Sequence, residues 1–407
     1  MPADVIVGLH FGDEGKGKVV DYLLSSPRHD QYTVVGRYNG GPNAGHTVMH
    51  GGETYKLHQI PSGILHEGTI FVLGCGVVIN TDELFEEIVD LENNGIKITP
   101  DNLLISSRAH VILPDCIKQD REEGRRLGTT GQGIGPTYSK KYARTGVRIG
   151  EYLNEKNAVR TEAELSLKQF VKDTEEFILA ALKRGEYILA EGAQGTFLDI
   201  DLGDYPFVTS SHTTAGGACT GLGIPPTEIE EVMGVAKICM SRVGEGPFPT
   251  ELGDYQTLKN DKEEILSGDL TYTEMTQGEL SLAEIDNYQK GRLLRRRGFE
   301  WGTTTGRPRR LGWPDWVLTK RAVEINGVTK MAITKADVFN GMPVKARIGE
   351  SGPSYTRNFL WQTVVKENEG RIYLDEEFSR FKREMEEVVG APITVVSYGP
   401  AREQTWV

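Results

Sequence analysis

Short apolar, β-branched runs recur along the chain, separated by longer stretches in which apolar positions fall three and four apart. Val5 to Leu9 is the first such run; glycine-rich loop follows it, and Lys18 to Leu24 resumes at helical spacing. Thr33–Val35, Ile70–Leu73, Leu103–Ile105, Tyr187–Ala190, Val232–Ile238, Met331–Thr334 and Ile393–Ser397 predict further strands. Asp82–Asn93 and Ala163–Lys183 predict helices, the second with Leu165, Phe170, Phe177 and Leu182 along one face. Strands alternating with helices predict an α/β fold, a mostly parallel central sheet flanked by helices. No internal repeat, low-complexity tract or Pro/Ser-rich linker breaks the pattern, so a single domain over 1–407 with inserted helical and loop subdomains is expected.

Composition narrows the class. A chain of 407 residues, 38% hydrophobic and 26% charged, is ordinary for a soluble globular protein. It has no apolar run of the roughly eighteen residues that a spanning helix needs. Met1 to His10 lacks a basic segment, a long apolar stretch and a small-residue cleavage site, so no secretion signal is expected. The cysteines (Cys75, Cys116, Cys219, Cys239) form no C-x-x-C pair and are expected as buried thiols of a cytoplasmic protein. A net charge of −12 argues against nucleic acid or a membrane surface as partner. Arginine is nevertheless clumped at Arg295–Arg297 and Arg307–Arg310, which points to a local site for small anions. The 48 glycines concentrate in loops, where backbone amides can approach a ligand closely.

Two glycine loops carry the first chemistry. Gly8 to Lys18 (GLHFGDEGKGK) follows the first strand and opens a helix, which suits a phosphate cradle of backbone N–H groups with Lys16 adding charge. It is not a Walker A sequence, because Gly17 and not Ser or Thr follows Gly15-Lys16. Asp13 is the unusual member, since a carboxylate among phosphates needs a metal, a cation or a proton to take. Asn39 to Thr47 (NGGPNAGHT) comes after the second strand, and parallel neighbouring strands are expected to bring it beside the first loop. Asp13 and His46 are then expected to face one substrate as base and acid.

GDEGKGK at Gly12–Lys18 with NAGHT at Asn43–Thr47 resembles the paired signature of the adenylosuccinate synthetase family. The resemblance continues through Gly128-Thr129-Thr130, Gly133 to Arg144, Glu191 to Thr196, Tyr205 to Ser211, Arg242 to Gly244 and Gly246 to Glu251. Thr304 to Arg310, Thr334 to Asp337 and Ser397 to Pro400 complete it, in the family's order and nearly end to end. It implies an architecture related to P-loop NTPases and G proteins, and a two-step reaction. GTP phosphorylates O6 of IMP, and aspartate's amine then displaces that phosphate from C6.

The resemblance also implies the residues. Asp13, Lys16 and His46 are the candidate catalytic groups, joined by Lys141 of the same signature, whose role stays open. Mg²⁺ is the implied cofactor, with Asp13 and the Gly45 carbonyl as oxygen ligands. IMP falls to Asp13, Lys16, Asn43, Ala44, Gly45, His46, Thr130, Gln194, Thr209 and Arg307, with Arg144 from a second subunit of a homodimer. GTP falls to the first loop (Gly12, Asp13, Glu14, Gly15, Lys16, Gly17, Lys18), to Gly45, His46 and Thr47, and to Arg309. Lys335, Ala336 and Asp337 resemble the guanine-reading T-K-x-D motif, and Ser397, Tyr398 and Gly399 flank the same base. Aspartate falls to Thr303, Thr304, Thr305, Gly306, Arg307 and Arg309, because a guanidinium fork matches a carboxylate. Trp301 and Trp313 bracket that segment and predict that it packs.

His10-Phe11 stands where most of the family has Gln-Trp, Gln132 where Lys or Arg is usual, and His212 where Asn is usual. These departures lie near the phosphate and nucleotide loops and bear on fine substrate details; three other readings stand beside the resemblance. A viral-type relative would ligate aspartate to dGMP, but such relatives tend to lack the residues matching Asp13 and Asp337. A GTP-driven switch would share the glycine loop and T-K-x-D without needing Arg307 or Arg309. A dinucleotide-binding oxidoreductase would need G-x-G-x-x-G spacing, absent from the first loop.

Overall fold

The computed structural model describes residues 3–25, 32–50, 53–124, 128–155, 159–261, 286–302, 306–349, 354–362, 364–368 and 371–407. At 46–50, 53–54, 364–368 and 371–372 it describes the backbone alone. Ten strands form the main sheet: β1 Ala3–Gly8, β2 Tyr32–Arg37, β3 Ile70–Leu73, β4 Leu103–Ser106, β5 Val171–Lys172, β6 Tyr187–Glu191, β7 Ile229–Lys237, β8 Lys330–Thr334, β9 Ile393–Ser397 and β10 Thr405–Trp406. The order is β1-β6-β2-β3-β4-β5 in one part of the chain and β8-β9-β10 in another. Every residue of β1 is buried, as befits a strand covered on both faces. The expected α/β class therefore holds, and each predicted strand is present to within a few residues.

The chain divides into two compact units, one of residues 1–8 and 15–233, the other of 9–14 and 234–407. In the first, β1 pairs with β6, β6 with β2, β2 with β3, β3 with β4 and β4 with β5, all in parallel. One expectation fails here: β1 and β2 are not neighbours, because β6 lies between them. The loop beside the first glycine loop is thus the one after β6, Gly192 to Thr196. A second expectation also fails. Ala163–Lys183 is not one helix but a short helix Glu162–Leu167, a 3₁₀ turn, strand β5 and a second helix Thr174–Lys183. Asp173 starts the second helix by accepting the Glu176 N–H, so the chain is reset at that point. The proposed common face dissolves: Phe170 is buried while Leu165 is exposed.

In the second unit β8 pairs in parallel with β9, and β10 closes the edge antiparallel to β9. Helix α1, Glu376–Val389, buries Phe378, Phe381, Met385 and Val389 at intervals of three and four and ends on left-handed Gly390. Its Phe381 packs against Trp316, Phe359 and Trp361 in an aromatic cluster. Trp301 and Trp313 are buried, as are Arg309 and Arg310 between them, whereas Gly306 and Arg307 are exposed and 303–305 lie outside the described residues, so the expected packing holds only at the end of that segment. Among the four cysteines only Cys116 and Cys239 are buried; Cys75 and Cys219 are partly exposed, and all four are free thiols.

Candidate functional site

Parallel strands in a twisted sheet present their following loops together at one edge, and the sequence places its glycine motifs in those loops. In the first unit, Lys16 opens the helix Lys16–Ser25 and is almost fully buried. Its ammonium donates to the Gln194 carbonyl at 2.5 Å, in the loop after β6. The Gln194 side chain in turn donates to Asn43 Oδ1 at 3.1 Å, and Asn39 Nδ2 donates to the Ala193 carbonyl at 3.2 Å. Lys16, Gln194 and Asn43, chosen from three separate motifs, therefore meet. Gly40 allows this approach: its φ is +81°, and a Cβ there would sit 3.1 Å from both Ala193 Cβ and Gln194 Oε1.

Other members of that unit hold the loops in place. The Tyr138 hydroxyl, buried, accepts the Gly40 N–H at 3.1 Å and donates to the Gly76 carbonyl at 2.6 Å. Burial pushes its ionisation far above the ordinary tyrosine range, so it stays a neutral donor. Lys141 donates to the Cys75 carbonyl at 3.0 Å, and burial lowers its pKa. Gln132, one of the departures, spans Pro42 O (3.5 Å) and Thr130 Oγ1 (3.1 Å). Thr209 donates its N–H to Leu198 O at 2.8 Å, and Arg144 is exposed in left-handed backbone beyond the helix Ile134–Ala143. Ala44 is buried, and its carbonyl meets His58 Nδ1 at 2.9 Å. His46 and Thr47 begin a β-hairpin strand, but their side chains lie outside the described residues.

The second unit holds Asp13. Glu14 Oε1 accepts the N–H groups of His10 (3.1 Å) and Gly12 (2.8 Å), folding the loop onto itself. Asp13 is thereby held at φ 58° and pairs with Arg309 Nη2 at 2.9 Å. Arg309 also donates from Nη1 to Glu300 Oε2 at 3.0 Å. Glu300, fully buried, accepts Lys237 at 2.8 Å and Lys335 at 2.6 Å as well. Burial alone would raise the Glu300 pKa; Lys237, Lys335 and Arg309 outweigh it and hold the group well below the usual carboxylate range. Burial also disfavours the Arg309 cation, yet Asp13 and Glu300 more than offset that and raise its pKa.

The guanine-type motif sits in the same unit. Lys335, at φ 55°, leads into the 3₁₀ turn Ala336–Phe339 at the end of β8, and Thr334 Oγ1 donates to the Glu14 carbonyl at 2.5 Å. The register Ile333↔Val396 sets Lys335–Asp337 beside Ser397–Gly399 at the ends of adjacent parallel strands. Arg307 and Gly306 are exposed on the loop before β-strand Arg310–Gly312, and Thr303–Thr305 lie outside the described residues. Among the described residues five non-glycines have positive φ: Asp13, Arg144, Gln194, Phe299 and Lys335. Four of these are predicted site residues, and such strain persists where surroundings enforce it.

Sequence reasoning missed Lys237 and Glu300. A signal existed for the first: a lysine inside the apolar run Val232–Ile238 needs a buried counter-charge. Asp199, Asp201 and His212 form a cluster of potential metal ligands among the described residues. Asp199 is already committed, accepting the N–H groups of Asp201 (3.0 Å), Leu202 (3.1 Å) and Thr213 (2.7 Å), and so acts as a staple for its turn.

The family model described as adenylosuccinate synthetase matches residues 5–165 and 159–348. The chain belongs to this family. An adenylosuccinate synthetase of Caldanaerobacter subterraneus is 39% identical, and one of Heliobacterium modesticaldum 37%; each alignment covers 100% of this chain and 98–99% of the relative. Fully ligated adenylosuccinate synthetase from Plasmodium falciparum superposes with TM-score 0.79 at 29% identity, covering 99% of this chain and 98% of that one. The succinoaminodeoxyadenylate synthetase of cyanophage S-2L, bound to dGMP and dATP, shares the fold with TM-score 0.68 at 21% identity, covering 100% of this chain and 95% of its own. As an adenylosuccinate synthetase family member the chain is a ligase of purine nucleotide biosynthesis. Among the described residues no helix is long and apolar enough to cross a membrane.

Proposed function

We propose that this chain joins L-aspartate to IMP at the expense of GTP, giving adenylosuccinate, GDP and phosphate through a 6-phosphoryl-IMP intermediate. The observation that carries the reading is Asp13, a carboxylate inside a phosphate-type loop, held in left-handed backbone with Arg309 at 2.9 Å. O6 of IMP is a weak nucleophile while N1 keeps its proton. Asp13 takes that proton, and Arg309 keeps the carboxylate aimed while it does so. Lys16 and the amides opening its helix bind phosphoryl oxygens, and His46 donates to the group in transfer. Asp13 and the Gly45 carbonyl are hard oxygen donors that suit Mg²⁺, which when bound neutralises phosphate charge.

Substrate choice follows from the remaining groups. Asn43, Thr130, Gln194, Thr209 and Arg307 hold IMP, completed by Arg144 of the partner subunit in a cytoplasmic homodimer. Arg307, with Thr303–Gly306, grips the aspartate carboxylates. Asp337 accepts guanine N1–H and the 2-amino group, a donor pair adenine lacks, while the Lys335 stem covers the ring. Asp13 and Asp337 both support IMP and GTP over dGMP and ATP. The test is succinyl-nucleotide absorbance with IMP against dGMP and GTP against ATP; product from dGMP alone would overturn the assignment.

A further inference from the structure

Arg309, Lys237 and Lys335 all end on one carboxylate, and no step of the proposed reaction uses it. Glu300 is fully buried, and both of its oxygens are engaged: Oε2 by Lys237 (2.8 Å) and Arg309 (3.0 Å), Oε1 by Lys335 (2.6 Å). Its backbone is pinned as well, the N–H donating to Arg295 O and the carbonyl accepting the Arg309 N–H, both at 2.9 Å. Phe299, at φ 50°, ends the helix Asn287–Gly298 and turns Glu300 inward. The side chain therefore has a fixed origin and fixed ends.

As a purely structural device this arrangement is poor. Three buried or half-buried cations face two carboxylates, Glu300 and Asp13, and a buried ionic cluster is often no more stabilising than apolar residues of similar volume. Two of the three cations reach outward to functional positions. Arg309 holds Asp13 at 2.9 Å, and Lys335 opens the turn that carries Asp337. We infer that Glu300 is a positioning residue that sets Arg309 against the catalytic carboxylate and Lys335 against the guanine-reading turn. One buried side chain thereby couples recognition of the guanine base to the aim of Asp13. The inference rests on the reaction proposed above and adds to it a residue outside the substrate contacts.

The test compares Glu300→Gln and Glu300→Gln/Lys237→Met with the unsubstituted chain and with Lys237→Met. The double variant removes one negative and one positive charge together, so the buried charge balance is kept while both outward contacts weaken. Expected is a folded double variant whose kcat is at least about tenfold below that of Lys237→Met, the size of one lost charge-assisted contact. Its KM for GTP rises about fivefold or more, and its KM for IMP stays within about twofold. Recovery of kcat and the KM for GTP in the double variant would assign Glu300 to charge balance alone and overturn the inference. So would an even rise in every KM. Glu300→Asp, which keeps the charge but shortens the reach, is read if neither Gln variant folds; failure of all three to fold places Glu300 in the framework and also overturns the inference. If the unsubstituted chain makes no succinyl nucleotide, the reaction proposal fails by itself. Affinity for a fluorescent guanine nucleotide then reads the Lys335 arm directly: about fivefold weaker binding in the variant is expected, and equal binding refutes it.

Discussion

Arg309→Lys isolates the aim of the catalytic carboxylate from its charge. The guanidinium spans two anions, Asp13 Oδ2 at 2.9 Å from Nη2 and Glu300 Oε2 at 3.0 Å from Nη1. A lysine ammonium is a single point and cannot bridge both at those distances, although the total charge is unchanged. One charge-assisted hydrogen bond is lost, worth about 1.5–3 kcal/mol. If Asp13 depends on that bond while it accepts the N1 proton, the loss falls on the transition state, and kcat drops about 10- to 150-fold. Because Lys237 and Lys335 still neutralise Glu300, the fold should persist. The KM for IMP should shift by no more than about threefold, since Arg309 is assigned no contact with IMP, whereas the KM values for GTP and aspartate, both expected to touch Arg309, should rise. Initial rates of succinyl-nucleotide absorbance at saturating substrates measure kcat, and thermal melting checks folding. A folded Arg309→Lys enzyme with kcat within about twofold of the unsubstituted chain refutes the positioning argument.

Asp13→Ala and His46→Ala should each nearly abolish turnover, by about 10²–10⁴-fold, the usual worth of acid–base help; wild-type rates in the same assay from either would remove that residue from the chemistry. Arg307→Lys should raise the KM for aspartate about 10-fold or more through loss of the bidentate fork, with an aspartate titration as the check and an unchanged KM as the refutation. Burial pushes the pKa of His10 down to about 4, against a smaller upward pull from Glu14. The unfolded chain, with an ordinary imidazole, then binds the proton more readily, so stability falls as pH drops from about 6.5 to about 4, by at most about 3 kcal/mol. Melting temperatures across that range should show this slope, and His10→Gln should flatten it; an equal slope in both chains would contradict the assignment.

The strands were legible because a strand covered on both faces must be an apolar run, and Val5–Leu9, Ile70–Leu73 and Ile393–Ser397 are such runs. Their order was not. β6 enters between β1 and β2 from about 150 residues downstream in the chain, and strand order depends on which long crossovers pack best, which local pattern does not encode. The break at Asp173 was readable as a helix start followed three residues later by Glu176, but the apolar spacing on either side mimicked one continuous helix. Lys16, Asn43 and Gln194 were found through short motifs, and their meeting is a product of the β6 insertion that sequence reasoning had missed. Glu300 stayed hidden for another reason: a lone glutamate between Phe299 and Trp301 looks like surface until its three cations converge on it.

In the proposed reaction GTP turnover is tied to IMP and aspartate, whose amine displaces the phosphate that Asp13 helps to place on O6. Succinyl-nucleotide absorbance with IMP, L-aspartate, Mg²⁺ and GTP, each omitted in turn, tests it most directly. Product is expected only when all four are present, with little phosphate release from GTP when IMP and aspartate are both left out. GTP turnover at full speed without IMP and aspartate would contradict it and point to a nucleotide-driven switch.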